Sequence, residues 1–292
     1  MILEIEHSRH FDLLFHALAY LQVDNASNLY CEEYIAQMGI TKRRFGYDIQ
    51  PNIKLLQAYY NANFERLALI NFLPYFSEGF EDMKGLLAHC QHFTQGDLQH
   101  FVTPFIKILD AESAFYFDYW DALHRDNENK RHAAERGLQS ELAKYSCIFE
   151  FYNKSAMTFL SYSLTRNGRG FNANPSCFDA LVPFPKDDES VKSSFFALLH
   201  EYTHQFTDVL LNANISMTDN THNIAEKAAI LADYYLIKVI SPCDLPTYFE
   251  WVAQNGGNQS GGGNERDFLS SYSVDDKLKS DLQKLAENII DN

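Results

Sequence analysis

One five-residue pattern constrains this chain more than any other: His200-Glu201-Tyr202-Thr203-His204, an H-E-x-x-H. Its meaning depends on helical geometry. Successive residues of an α-helix turn by about 100°, so positions four apart lie one turn apart on the same face. On a helix, His200 and His204 present two imidazoles to one point, as two ligands of a tetrahedral zinc must. Glu201 then lies on the flank of that face, within reach of a water held there. Two nitrogen donors and one general base are the core of zinc-assisted hydrolysis. The flanking residues favour the helix. Asp187-Asp188-Glu189-Ser190 place acidic residues in a first turn. Phe195, Leu198, Leu199, Tyr202 and Phe206 then give a broad apolar stripe running to about Leu211.

A third ligand has to come from elsewhere. The next helical pattern, Ile224 to Ile240, carries Ala225, Ala228, Ala229 and Ala232, small residues that let two helices approach closely. Glu226 falls in it, 22 residues after His204. By its neighbours alone Glu226 reads as the third helical position behind an Asn223 N-cap, a variant of the capping box. Asp233, two turns on and on the same face, is a candidate to orient a ligand histidine. Asp208, one turn beyond His204, is the competing candidate and a rival ligand.

Upstream, Met157 to Leu164 alternates as a half-buried strand does, and Asn167-Gly168 is a turn signal. Cys177 to Phe184 reads as a second strand, with Pro183 marking an edge. Such an edge suits either a shelf for a peptide strand or a purely structural hairpin. From about His10 to Phe149 the pattern is helical, with Phe11, Leu14, Phe15, Leu18 and Leu21 opening it at threes and fours. A short aromatic helix is expected around Tyr248 to Val252, a flexible loop at Gly256 to Gly263, and a last amphipathic helix from about Val274. The expected fold is therefore α+β and predominantly α-helical. A helical N-terminal region over 1–150 precedes a domain over 151–292 that holds a small β-sheet and the active-site helices.

Composition excludes more than it identifies. A net charge of −15 argues against a nucleic-acid backbone or an anionic membrane as partner. No stretch reaches the roughly 18 consecutive apolar residues of a membrane span. The five cysteines form no C-x-x-C pair, which suits free buried thiols in a reducing compartment. Met1 to His7 shows no basic segment followed by an apolar run, so the expected location is cytoplasmic.

The arrangement resembles the zincin metallopeptidases, and within them the gluzincin branch, in which a glutamate on a following helix completes the site about twenty residues after the second histidine. The resemblance covers roughly residues 156–240 and is carried by His200, Glu201, His204 and Glu226. It implies a zinc cofactor on His200, His204 and Glu226, and a peptide or protein substrate. Glu201 would be the base that takes the proton of the attacking water and passes it to the leaving amine. The branch often adds a Tyr or His donor to the oxyanion, for which Tyr248 and Tyr272 are the available residues. Where the branch often has an aspartate one turn after the glutamate, this chain has Ile230. The metzincin pattern is excluded, since Thr207 and Leu210 stand where it needs Gly and His or Asp. A zinc hydrolase acting on a non-peptide bond remains an alternative. So does a non-catalytic helical interaction protein retaining a zincin-like domain, although an intact Glu201 argues against it.

Overall fold

The computed structural model describes residues 4–21, 31–47, 53–152, 155–165, 167–174, 177–214, 221–255 and 264–291. A short strand β1 (Glu4–Glu6) leads into α1 (Arg9–Leu18), α2 (Glu32–Arg44), α3 (Lys54–Ala62), α4 (Phe64–Leu67), α5 (Phe80–His89) and α6 (Gln95–Asp97). A π-helical turn, Leu98–Val102, joins α6 to α7 (Thr103–Asp126), which α8 (Glu128–Lys144) and α9 (Ser146–Tyr152) follow. Three strands come next: β2 (Ser155–Ser161), β3 (Arg169–Asn174) and β4 (Cys177–Pro183). The chain closes with α10 (Asp188–Asn214), α11 (Thr221–Ile240), α12 (Leu245–Asn255), α13 (Glu265–Ser271) and α14 (Asp276–Asp291). The architecture is α+β and predominantly helical. Among the described residues no helix is long and apolar enough to cross a membrane.

These elements form two compact units, each discontinuous in sequence: 5–132 with 157–184, and 1–4 with 133–156 and 185–292. They are not the consecutive halves 1–150 and 151–292 expected from the change in texture near Ala156. The division falls inside α8 and again at either end of the strand region. The sheet therefore belongs with the N-terminal helices, and α9 with the motif helix.

In the first unit α1 is buried on every side. Phe11, Leu13, Leu14, Phe15, Ala17 and Leu18 are all at most 3% exposed, and Ser8 caps the helix by accepting from the Phe11 amide. Helix α1 packs on α7, whose Phe105, Leu109, Phe115 and Tyr116 belong to the same core. Each such side chain contributes about 1.5–3 kcal/mol by leaving water. Thr94 and Asp97 close a capping box at the start of α6, with Arg66 bonded twice to the Asp97 carboxylate at 2.6 and 2.7 Å.

The sheet of this unit has the order β1-β2-β4-β3, with β3 and β4 antiparallel in a register of Arg169 opposite Leu181 and Phe171 opposite Asp179. Its strand β4 is an inner strand, not the edge that Pro183 suggested. Proline stands at the last residue of β4, where the ladder does not need its missing N–H. The edges are β1 and β3, neither of which was expected from the sequence. Strand β3 lays Phe171 against Phe72 and Tyr75 (ring centroids 5.4 and 6.1 Å), so its aromatic side chain serves the core.

In the second unit α10 is the central helix. Ser194 through Leu199, with Tyr202 and Thr203, are at most 2% exposed, and α11, α12 and α14 pack around it. The amphipathic α14 buries Leu278, Leu282, Ala286 and Ile289 at helical spacing. Gly137 of α8 meets Val191 of α10 so closely that a β-carbon there would lie 3.1 Å from a Val191 methyl. The helices over the motif and over 221–240 lie where expected. Helix α10 continues to Asn214, past the loop anticipated at Asn212, and the Gly256–Gly263 loop lies outside the described residues. The five cysteines form no disulfide, but Cys243 is exposed and the other four are half-buried, so none is the buried thiol anticipated.

Candidate metal centre

The site is built where α10 and α11 run against each other. The apolar stripe of α10 faces inward, and the motif histidines sit at its margin: His200 is 7% exposed and the His204 side chain 18%. Across from them α11 offers small side chains, Ala228, Ala229 and Ala232, all at most 1% exposed, which lets the helices approach. That approach brings Glu226 to both rings. Its Oε2 lies 3.2 Å from His200 Nε2 and its Oε1 3.5 Å from His204 Nε2, while the two Nε2 atoms are 3.2 Å apart. One ligand atom from each residue thus lies within 4.8 Å of the others. Two imidazole nitrogens and a carboxylate oxygen converging at this scale are a donor set that could hold a metal ion, and zinc is among the metals such donors suit.

The cap reading of Glu226 does not survive the structure. Helix α11 begins at Thr221, so Asn223 is inside it and Glu226 is its sixth residue, beyond the first turn where a capping box operates.

The same three groups are strongly coupled electrostatically. Burial works against a charged His200, but its bonds to Asp233 and Glu226 outweigh that and hold its pKa well above the usual imidazole range. Burial likewise opposes charge on His204, while Asp208 and Glu226 together raise it to about 9. For Glu226 burial pushes the pKa up, and the two imidazoles pull it far below the ordinary carboxylate value. The site favours positive charge among these donors, whether carried as ring protons or as a cation.

A second layer lies behind the histidines. Asp233 is fully buried, with Oδ2 at 3.2 Å from His200 Nδ1. Thr203 donates to its Oδ1 at 2.5 Å, and the Tyr248 hydroxyl of α12 lies 3.2 Å from Oδ2 and 3.1 Å from the Ile230 carbonyl. Asp208 is half-exposed and stands 3.8 Å from His204 Nδ1, the ring nitrogen opposite the converging Nε2, so it does not join the three donors. Trp251 walls the His200 ring at 6.0 Å between centroids. Thr203 and Trp251 were not anticipated. Thr203, a hydroxyl inside the apolar stripe one turn from His200, was the available signal.

Glu201 follows His200 on α10, turned about 100° from it by helical rotation, and is half-buried. The two tyrosines considered for the oxyanion are placed differently from that expectation. Tyr248 is fully buried, with its hydroxyl engaged by Asp233 and the Ile230 carbonyl. Tyr272, 1% exposed, packs on Phe268, which in turn packs on Tyr248. A donor to substrate has to be within its reach, and two rings sealed in an aromatic layer are not.

A cleft of about 570 Å³ opens in the other unit, lined by residues that include His7, His10, Tyr75 and Trp120. It contains none of the motif residues, and among the described residues it is the converging donors that could hold a metal ion. Comparison with known protein families, curated proteins and solved structures finds no match to this chain.

Proposed function

We propose that this protein is a zinc-dependent metallopeptidase, with His200, His204 and Glu226 as metal ligands and Glu201 as general base. The observation that carries the reading is the convergence of three donors from two helices, with a carboxylate next to the first of them in sequence. Bound zinc would supply Lewis acidity to a substrate carbonyl and acidify a water near neutral pH. The residues do the rest. Asp233 accepts the His200 Nδ1–H and leaves the Nε2 lone pair directed at the donor cluster. Glu201, one residue from a ligand and half-buried, holds the proton of the attacking water and returns it to the leaving amine. Trp251 and Phe196 exclude water from the His200 side of the site.

The setting we propose is cytoplasmic, which five cysteines outside any disulfide suit, and the partner is a peptide or protein substrate. The net charge of −15 supports the exclusion of nucleic acid.

The test has two arms. Metal analysis of the protein purified without chelator should find one zinc per chain, lost in His204→Ala. A peptide library should be cleaved by the wild type and not by Glu201→Gln, which keeps its zinc. Absence of zinc, or zinc indifferent to His204→Ala, removes the site. Zinc without peptide cleavage moves the assignment to a hydrolase of another bond.

A further inference from the structure

Asp233 is held by three side chains, and three helices meet on it. Its Oδ1 accepts from Thr203 of α10, and its Oδ2 faces both His200 Nδ1 of α10 and the Tyr248 hydroxyl of α12. We propose that Thr203 and Tyr248 are positioning residues that act through Asp233 on His200, holding that ring with Nδ1 protonated and Nε2 ready as a metal donor. The inference rests on the metal-site reading above and adds two residues to it.

Proton counting supports the roles. A hydroxyl carries one proton. The Thr203 Oγ1 lies 2.9 Å from the Leu199 carbonyl and 2.5 Å from Asp233, and the shorter contact to the carboxylate takes the proton. The Tyr248 proton is shared between Ile230 and Asp233 at 3.1 and 3.2 Å. A carboxylate oxygen that faces a ring nitrogen accepts from it, so the His200 Nδ1 is the donor to Asp233 whether the ring is protonated on both nitrogens or has given up its Nε2 proton to a metal.

Geometry supplies the second part. Asp233 is fully buried, so each neighbour that holds an oxygen also selects the plane of the carboxylate. With Thr203 on one oxygen and Tyr248 on the other, that plane cannot turn away from the His200 ring. Remove either donor and the carboxylate gains a rotation that tilts the ring it orients. Thr203 is fully buried as well, which leaves it no role at the protein surface.

The experiment measures zinc affinity of the full chain by competition with a chromophoric chelator, and reads the His200 ring by 15N NMR. Tyr248→Phe and Thr203→Val should each weaken zinc binding roughly ten-fold, while Thr203→Ser keeps the wild-type value. With zinc bound, the 15N shifts of His200 in both weakened variants should move away from those of a ring that holds its proton on Nδ1. In an Asp233→Ala background neither substitution should weaken zinc further, because the path runs through that carboxylate. Thermal denaturation of the zinc-free forms identifies any variant that fails to fold, and the Thr203→Val and Thr203→Ser pair then decides. Wild-type affinity in both Tyr248→Phe and Thr203→Val overturns the inference. So does an undiminished loss in the Asp233→Ala background. A wild-type chain that takes up no zinc overturns the underlying reading instead.

Discussion

Asp12 shows how much one buried residue can govern. It sits in α1, 1% exposed, accepting from Ser161, from the Trp120 indole at 2.7 Å and from the Tyr162 amide at 3.3 Å. Burial raises its pKa from 3.8 to about 6, more than these donors lower it. Below about pH 4 the carboxyl is protonated in both the folded and unfolded chain, and no penalty applies. As pH rises toward 6 the unfolded chain loses its proton first, so stability falls, and above 6 the loss levels off at about 3 kcal/mol. The expected outcome is that Asp12→Asn abolishes this fall. Urea midpoints of variant and wild type between pH 4 and 7 should differ by an amount that changes with pH over that window. A constant difference would place the Asp12 pKa at its ordinary value. None of this was readable beforehand, because Trp120 and Ser161 are far from Asp12 in the chain. His200 and His204 were readable as a pair, since helical rotation is a local rule, whereas Glu226 stands on another helix and was pointed to by the gluzincin resemblance. Tyr248 was not readable, because one tyrosine among 17 carries no signal until α12 is placed.

At the scale of elements, the site depends on how closely α11 approaches α10. Ala229 lies three residues after Glu226 and four before Asp233, on the face those two share, and is completely buried. Ala229→Leu should therefore destabilise the protein by about 1–3 kcal/mol through overpacking. It should also lower zinc affinity, because Glu226 and Asp233 move away from the histidines together. Val239 on the same helix is 58% exposed, and Val239→Ala should leave both quantities unchanged. Calorimetry and zinc titration of the two variants check this, and equal effects would mean that the packing face has been misassigned. The alanine run in α11 made the close approach legible, as the periodicity of α10 made its buried stripe legible. Strands β1 and β3 and helix α13 were not. Three to seven residues without a strong apolar alternation carry too little pattern to stand out. Pro183 misled because the rule for proline in sheets concerns strand interiors, and β4 ends on it.

For the whole molecule, metal binding should stabilise one unit. At free zinc of about 100 times Kd the linkage is about 2.7 kcal/mol. The gain should vanish with chelator or with His204→Ala. Hydrogen exchange should slow in α10, α11 and α12, which hold His200, Glu226 and Tyr248. Equal slowing in α1 and α7 would show that the metal acts beyond the unit that holds its ligands. By itself the sequence determined the helical character of the chain, the motif helix, and the spacing that presents His200, His204, Glu226 and Asp233 on two helical faces. All of these follow from rotation per residue, a property of neighbours in the chain. Only the tertiary structure decided that the sheet belongs with the N-terminal helices, that Glu226 is not a cap, and that Tyr248 stands behind Asp233. Those are relations between residues distant in sequence, set by which apolar faces bury each other, and no local pattern encodes them.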